Sequence, residues 1–295
     1  MASVRKRLPA NAPGDFFVDS TCIDCGTCRW VAPESFDAYG DASRVHRQPG
    51  TPHAIHRARM AVLACPVAAI GTVEHHDFGA ARAAFPERID GNVYHCGYHS
   101  EASYGAASYL IVRPQGNVLV DSPRFTKPLV RRLEETGGVA LMFLTHRDDV
   151  ADHRKFHEHF GCPRILHRAD VARGTREVEI QPEGAAPVHL DEEITLIPVP
   201  GHTPGSMCLL YRERYLFTGD HLSWDASRAR LAAWRDVCWY DWDEQRASMT
   251  RLLGYPFEWV LPGHGRRVHL PAVEMAERLH DCVGRMRRRR TAHAG

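Results

Sequence analysis

Short apolar runs that end at turns bearing glycine or histidine recur from residue 93 onwards. They lie at residues 139–143, 194–199, 215–218 and 259–261. Runs of this length between turn residues predict buried strands. Residues 127–135, 152–160 and 242–253 instead place apolar side chains at helical spacing and stop at or near glycine, which predicts helices. Alternating strands and helices indicate an α/β fold with two sheets faced by helices.

Histidine and aspartate are concentrated at the ends of these predicted strands. Residues 144–153 read Leu-Thr-His-Arg-Asp-Asp-Val-Ala-Asp-His, directly after the first apolar run. Three later turns, each bounded by glycine, carry the same residue types at His202, Asp220 and His264. A strand end holds its side chains rigidly, and both residue types bind metals. The pattern therefore predicts a metal site assembled from several strand ends.

A separate cysteine pattern stands near the start of the chain. Cys22, Cys25 and Cys28 have the spacing C-x2-C-x2-C, and a remote Cys65 is followed by Pro66. A tight turn through such a triplet presents each thiolate to a different iron, and the remote cysteine supplies the fourth ligand of one [4Fe-4S] cluster. Two alternatives stay open: a structural zinc site, since four cysteines also satisfy tetrahedral zinc, and a cluster that only stabilises the fold.

This stretch resembles the one-cluster bacterial-type ferredoxins over residues 15–73. The sequence between residues 86 and 92 is typical of a join between modules. We therefore predict a small ferredoxin-like α+β domain at residues 1–85, followed by a larger domain at residues 86–295.

Charge and composition restrict the partners. The 295 residues have a formal net charge of +1 at pH 7, which gives too weak a field to attract nucleic acid or an anionic membrane. No apolar run approaches the roughly 18 residues needed to cross a bilayer, and residues 1–15 lack the apolar core of a signal peptide. We expect no nucleic-acid partner, no membrane partner and a cytoplasmic, reducing location, which suits cysteines that bind metal.

The order of motifs in the larger domain resembles that of the metallo-β-lactamase superfamily. A strand ending in Asp121, a helix and the Thr-His motif are followed by Gly-His-Thr-Pro-Gly-Ser, Thr-Gly-Asp and Pro-Gly-His-Gly. The resemblance covers about residues 93–279 and implies an αββα sandwich with metals at one edge. The predicted fold class is thus α/β, with this sandwich after the ferredoxin-like domain.

The H-x-H-x-D-H motif of the superfamily is altered here. His146 matches its first position, Asp148 stands at the second histidine, and two inserted residues precede Asp152 and His153. The resemblance then implies these ligands: His146, Asp148 and His202 for the first metal, Asp152, His153 and His264 for the second, and Asp220 as the bridge. Asp149 is the rival of Asp148, because a lengthened loop need not keep the usual offset.

The carboxylate at the second position bears on the identity of the metal. It adds a negative charge and a hard oxygen ligand, which favours a harder, higher-valent ion than Zn(II). The flavodiiron proteins are similar in this respect, and they hold two irons for the reduction of oxygen or nitric oxide. The resemblance implies two metal ions, with iron preferred and zinc or manganese as alternatives.

Two functions compete. A [4Fe-4S] cluster carries one electron at a time, and hydrolysis needs none. The fusion therefore favours an oxidoreductase in which the cluster passes electrons to a di-iron site that acts on O2, NO or a small molecule. The alternative is a dinuclear zinc-type hydrolase of an ester, lactone, thioester or phosphoester, in which a metal-bound hydroxide is the nucleophile.

Three residues are predicted to be catalytic. Asp152 would orient or deprotonate the nucleophile, whereas His99 and Tyr104, in a polar and aromatic segment that borders the metals in this fold, would contact substrate or supply protons. The expected partners are a small-molecule substrate and an external electron donor such as a reductase. A homodimer would bring the cluster of one chain near the metals of another.

Overall fold

The computed structural model describes residues 2–288 and divides into two compact units. The first comprises Met1–Met142 and Asp148–Cys162, and the second comprises Phe143–Arg147 and Pro163–Gly295. The expected boundary between residues 85 and 86 lies within the first unit, so the domain limits stay a prediction. Within the described residues, every helix is too short or too polar to cross a lipid bilayer.

The first unit combines short strands and helices. Its strands are β1 (Phe16–Val18), β2 (Phe36–Tyr39), β3 (Ala42–Val45), β4 (Ile70–Thr72), β5 (Glu87–Asp90), β6 (Val93–His95), β7 (Tyr109–Ile111), β8 (Val118–Val120) and β9 (Leu141–Phe143), whose last residue opens the second unit. Its helices are α1 (Thr27–Val31), α2 (Pro52–Ala64), α3 (Gly79–Ala83), α4 (Lys127–Glu135) and α5 (His153–Phe160).

Helix α2 supports the cysteine-rich part of this unit. It begins after Thr51, whose side chain accepts a hydrogen bond from the N–H of Ala54, and Pro52 follows this cap. Both features favour a helix start. Most of its buried side chains are alanines, so α1 packs closely on it. Cys65 caps its C-terminus, and α2 thereby fixes the remote cysteine. Antiparallel pairing of β1 with β4, and of β2 with β3, completes this part.

The larger sheet of the first unit has the strand order β9-β8-β7-β6-β5, with antiparallel pairing from β5 to β8. Every residue of β7 and β8 is buried, as expected for strands covered on both faces. The helix predicted at residues 127–135 is confirmed as α4, which buries Leu129 and Leu133. The helix predicted from residue 152 begins one residue later, at α5.

The second unit contains another sheet and two long helices. Its strands are β10 (Arg164–Ile165), β11 (Val188–His189), β12 (Ile194–Pro198), β13 (Met207–Tyr211), β14 (Tyr215–Gly219), β15 (Ser223–Asp225), β16 (Arg230–Ala232), β17 (Trp259–Pro262) and β18 (Val268–His269). Its helices are α6 (Trp242–Leu252) and α7 (Ala272–Arg288).

The sheet of the second unit has the order β11-β12-β13-β14-β17-β18. Strands β14 and β17 run parallel, whereas the other neighbouring pairs are antiparallel. Helices α6 and α7 bury Met249, Leu252, Met275 and Leu279 in the core beside this sheet. Because paired parallel strands end at the same edge, the residues after β14 and β17 are brought together.

Candidate metal centres

Four cysteines of the first unit line one cavity. Cys22, Cys25, Cys28 and Cys65 surround it, and none of them is in a disulfide. The loop reaches this geometry through two residues with left-handed backbone conformation, Asp24 at φ 58° and Gly26 at φ 79°. Such residues curl the chain back on itself and so turn three cysteines toward one point.

The chain also directs hydrogen-bonding groups toward these sulfur atoms. The backbone N–H of Ser43 donates to Cys22 Sγ at 3.4 Å, and that of Ala69 donates to Cys65 Sγ at 3.2 Å. Cys25 Sγ lies 3.4 Å from Thr27 Oγ1. Donors to cluster sulfurs stabilise the thiolate form and tune the reduction potential.

The negative charges of the four cysteine thiolates in this cavity would be stabilised by a bound cation. Burial raises the pKa of Cys28 to about 12, and the nearby thiolates of Cys25, Cys22 and Cys65 add like-charge repulsion. Burial likewise raises the pKa of Cys65. Four thiolates in one buried cavity repel one another unless positive charge lies between them, and an iron core supplies that charge. The four sulfur donors and their N–H contacts therefore fit a [4Fe-4S] cluster.

In the second unit, Asp220 stands at the centre of a histidine cluster. Its carboxylate lies 2.8 Å from His264 Nδ1, 3.6 Å from His202 Nε2 and 3.7 Å from His146 Nε2. The rings of His146 and His202 are almost perpendicular, with centroids 4.7 Å apart. Such convergence of imidazoles on one carboxylate is typical of a metal site.

Four strand ends bring these side chains together. Asp220 directly follows β14, and His264 follows its parallel neighbour β17. His202 lies in the turn between β12 and β13, and His146 follows β9. Gly219 has a φ of +48°, and a Cβ there would lie 2.5 Å from Thr145 Oγ1. The glycine thus permits the close approach of the segment after β9 that carries Thr145 and His146.

The Nδ1 atoms of His202 and His146, which face away from Asp220, each lie within hydrogen-bond distance of another group of the protein. His202 Nδ1 lies 2.6 Å from the carbonyl oxygen of Val237, and since a carbonyl only accepts, Nδ1 carries the proton. Nε2 of His202, which faces Asp220, is then the nitrogen able to bind a metal. His146 Nδ1 is likewise 2.9 Å from Thr145 Oγ1. This arrangement orients both rings.

The charge state of the carboxylate follows from its neighbours. Burial by itself raises the pKa of Asp220, but the charges of His264, His146 and His202 outweigh burial and hold the pKa well below its usual range. Burial also lowers the pKa of the adjacent His221 to about 3. Asp220 is therefore an anion and His221 a neutral ring at physiological pH.

Comparisons with known proteins agree with this geometry. Residues 18–72 match the family described as the 4Fe-4S single cluster domain of Ferredoxin I. The crystal structure of DIM-1 metallo-β-lactamase exposed to ceftazidime is similar with a TM-score of 0.53 and 16% identity, over 67% of this chain and 95% of that chain. A metallo-β-lactamase from Pontibacter korlensis gives 0.52 and 16%, over 68% and 97%. No curated protein matches the chain.

The chain joins a [4Fe-4S] ferredoxin domain to a metallo-β-lactamase fold. The ferredoxin resemblance is confirmed for residues 18–72, the metallo-β-lactamase resemblance is confirmed as a fold, and the α/β fold class is confirmed. The four cysteines predicted to bind the cluster line one cavity in the ferredoxin domain. Of the ligands predicted for the metallo-β-lactamase fold, His146, His202, Asp220 and His264 come together in the second unit.

The other ligands predicted for the metallo-β-lactamase fold belong to the first unit. Asp148 is exposed, whereas Asp149 is 1% exposed and His153 is 3% exposed. Asp152 accepts hydrogen bonds from Phe125 N at 2.8 Å and from Lys155 Nζ at 2.7 Å, one on each carboxylate oxygen. Asp152 thus anchors the start of α5, and its roles as ligand and catalytic base stay predictions.

The residues predicted to meet substrate lie against the ferredoxin domain. The Tyr104 hydroxyl donates to the carbonyl oxygen of Ile23, in the cysteine loop, and His99 Nδ1 lies 3.3 Å from Thr27 Oγ1. Their catalytic roles stay predictions. Thr27 was not predicted as a functional residue. The one sequence feature that could have indicated it is its position between two predicted cluster ligands.

Proposed function

We propose that this protein is an oxidoreductase in which electrons pass from the [4Fe-4S] cluster to a dinuclear iron site that acts on O2, NO or an oxidised small molecule. The observation that carries the proposal is the thiolate cavity of the ferredoxin domain. A carrier of single electrons serves no purpose in hydrolysis. Its fusion to a second metal-binding fold therefore favours a redox reaction there.

The proposed ligands of the dinuclear site are those implied by the resemblance. They are His146, Asp148, Asp152, His153, His202, Asp220 and His264. When bound, the two metals supply a place for the substrate and a store of electrons. Asp220 adds a fixed negative charge between three imidazoles, which favours a cation of high charge. The hydrogen bond from His202 to Val237 holds one ligand in its metal-binding tautomer.

A second candidate is a dinuclear zinc-type hydrolase of an ester, lactone, thioester or phosphoester. The observation in its favour is the number of imidazoles around Asp220, since imidazole suits zinc. The similar solved structures are named metallo-β-lactamases, although similarity at this level concerns the fold. In this reading the metals lower the pKa of a bound water, and the cluster stabilises the fold.

Metal analysis separates the two functions. We expect anaerobically purified protein to hold two irons beyond those of the cluster, measured by atomic emission together with the acid-labile sulfide that counts the cluster. Two zinc ions per chain, with iron equal only to the cluster content, would support the hydrolase instead.

A cysteine variant tests whether the reaction needs the cluster. Cys25→Ser removes one of the four thiolates, so we expect loss of the visible absorption of the cluster and of reductase turnover. The matched control is Cys162→Ser, at a buried cysteine of the first unit that is in no disulfide, which should keep both. Hydrolysis of a lactone or ester that survives Cys25→Ser unchanged would overturn the proposed oxidoreductase.

A further inference from the structure

Two histidines are buried in contact beside the cysteine loop. His95 is 0% exposed and His99 is 1% exposed, and their Nε2 atoms lie 2.9 Å apart. His99 Nδ1 lies 2.6 Å from the carbonyl oxygen of Gly105 and 3.3 Å from Thr27 Oγ1. The pair is removed from solvent and tied to the residues around the cluster cavity.

The hydrogen bonds assign the protons of this pair. A carbonyl oxygen only accepts, so His99 Nδ1 carries a proton and, in the neutral ring, His99 Nε2 is an acceptor. His95 Nε2 must then donate to it. The nitrogen that gains a proton when the pair becomes charged is His95 Nδ1, and it faces Glu87 Oε2 at 3.8 Å. The pair has one defined place for an extra proton.

The groups packed around the pair come from several elements. Glu87 on β5 lies next to His95 and is paired with Arg57 of α2. The aromatic rings of Trp30, Phe85 and Tyr109 enclose the rest of the His95 ring. The side chain of Glu87 is 21% exposed, so a carboxylate links the buried pair to solvent.

Thr27 and Gly105 connect the pair to the cluster ligands. Thr27 is 1% exposed, and its Oγ1 lies 3.4 Å from Cys25 Sγ and within 3.3 Å of both His99 Nδ1 and the Gly105 carbonyl oxygen. Gly105 packs so closely on Cys25 that a Cβ would lie 2.7 Å from the Cys25 Cβ. In such a buried region, a charge added at the cluster strongly favours an opposite charge nearby.

We propose that the His95–His99 pair takes up one proton when the [4Fe-4S] cluster is reduced, so that electron and proton enter the ferredoxin domain together. An external reductant supplies one electron, which lowers the cluster charge by one unit. One proton from solvent passes by Glu87 to His95 Nδ1, and the charge of the buried region is unchanged. The inference rests on the cluster of the proposed function and is independent of the metal bound at Asp220.

The test is the pH dependence of the cluster reduction potential in the full-length protein. Titrations with a chemical reductant, followed by the visible and electron paramagnetic resonance signals of the cluster, cover about pH 5 to about pH 9. We expect the potential to fall with rising pH, because a tenfold change in proton concentration converts to about 59 mV for one electron. A potential that does not change over this range overturns the inference.

Two variants assign the effect to the pair. His95→Asn removes the nitrogen that gains the proton and should flatten the pH dependence. His99→Gln keeps that nitrogen and a donor for the Gly105 carbonyl, so it should shift the pH range of the slope rather than abolish it. The matched control is His53→Gln, an exposed histidine of α2, which should keep the slope of the native protein. A slope retained by His95→Asn would overturn the proposal, even if the potential itself moves.

The outcome is distinguishable from a failure of the proposed function. Iron and sulfide content, measured on each variant, shows whether the cluster is present. A cluster that titrates with a flat potential removes the proton uptake alone and leaves the oxidoreductase intact. Purified protein that holds zinc in the cysteine cavity, and no cluster, overturns both.

Discussion

Asp220 sets the charge at the centre of the histidine cluster. Its carboxylate is within 3.7 Å of one nitrogen on each of His146, His202 and His264. A neutral amide of the same shape would keep the packing but remove the negative charge that offsets bound cations. An Asp-to-Asn substitution at residue 220 therefore separates the electrostatic contribution of this side chain to metal binding from its steric contribution.

We expect Asp220→Asn to lower the metal content of the metallo-β-lactamase fold while the cluster remains. The loss of affinity should exceed the roughly 10- to 100-fold that accompanies loss of an outer hydrogen-bond partner. Atomic emission after dialysis against a weak chelator measures it. The control is Asp243→Asn, at an exposed aspartate of α6. Unchanged metal content in Asp220→Asn would show that the histidine cluster is not the metal site.

Glu179 gives a pH-dependent contribution to stability. Burial by itself raises the pKa of Glu179, but the hydrogen bonds and charge of Arg164 outweigh burial and lower the pKa to about 2. Arg164 is almost fully buried, and its Nη2 lies 2.7 Å from Glu179 Oε1. Because the folded pKa lies below the unfolded value, this ion pair stabilises the fold above about pH 4 and its contribution is lost as the pH falls toward about 2.

Glu179→Gln should therefore lower the melting temperature at about pH 6 more than at about pH 3. The expected difference is about 2 °C, because partial exposure of Glu179 screens the pair. Calorimetry at the two pH values measures it. Glu192→Gln, at an exposed glutamate, is the control and should change neither value. An equal loss at both pH values would contradict the assignment.

At the scale of elements, the turn before β7 lies against the cysteine loop. The carbonyl oxygen of Gly105 is bonded to His99 and Thr27, and its Cα faces Cys25 and Pro66. A side chain at residue 105 has no space, since its Cβ would lie 3.0 Å from Cys25 Sγ. The turn and the cluster ligands must therefore keep a fixed spacing.

Gly105→Ala should shorten the lifetime of the cluster in air, because the added methyl group collides with Cys25. The matched control is Gly184→Ala, because Gly184 has a φ of +79°, close to the +85° of Gly105, with open space around its Cβ position. Both variants carry the roughly 1–2 kcal/mol of left-handed strain, and only Gly105→Ala adds the collision. The half-time of cluster bleaching in air measures the effect. Equal half-times would show that the close approach to Cys25 is unimportant.

The sequence predicted the elements that have strong local signals. Helix α4 was expected at its observed bounds, because Leu129 and Leu133 lie on one face and glycines follow. The spacing of Cys22, Cys25 and Cys28 predicted most of the cavity for the same reason, since these three share one turn, and the Cys-Pro motif at residue 65 identified the remote fourth ligand. The motif at residues 146–153 predicted metal binding, but it left the choice between Asp148 and Asp149 open, because an insertion there changes which side chains face inward.

The contact between the His95–His99 pair and Thr27 could not be predicted from the sequence. Residues 27 and 99 are far apart in the chain, and no periodic pattern links a hydroxyl at the start of α1 to a histidine in the loop after β6. The ring of Trp30 packs on His95 and His99 at 4.8 and 5.6 Å, a contact that the sequence did not predict either. Such contacts depend on tertiary packing, which short-range patterns do not encode.

At the scale of the whole molecule, the proposed cluster and di-iron site together set the number of electrons that the protein would accept. A di-iron site takes up two electrons and the cluster takes up one, whereas zinc takes up none. We expect an anaerobic coulometric titration of the complete protein to reach about three electrons per chain. Cys25→Ser should reach about two. A native value of one electron would indicate a redox-inactive metal at Asp220.

The parallel pairing of β14 and β17 affects which parts of the chain can change without moving Asp220 and His264. Asp220 and His264 are aligned by backbone hydrogen bonds between those two strands. Their spacing is therefore set by the strand pairing and not by the length of the connection from residue 222 to residue 258. Exchanging the part of that connection outside α6 and Val237, which serve the core and His202, would leave the pair in register. Selectivity for a reactant could then be altered by grafting, while Asp220 and His264 keep their arrangement.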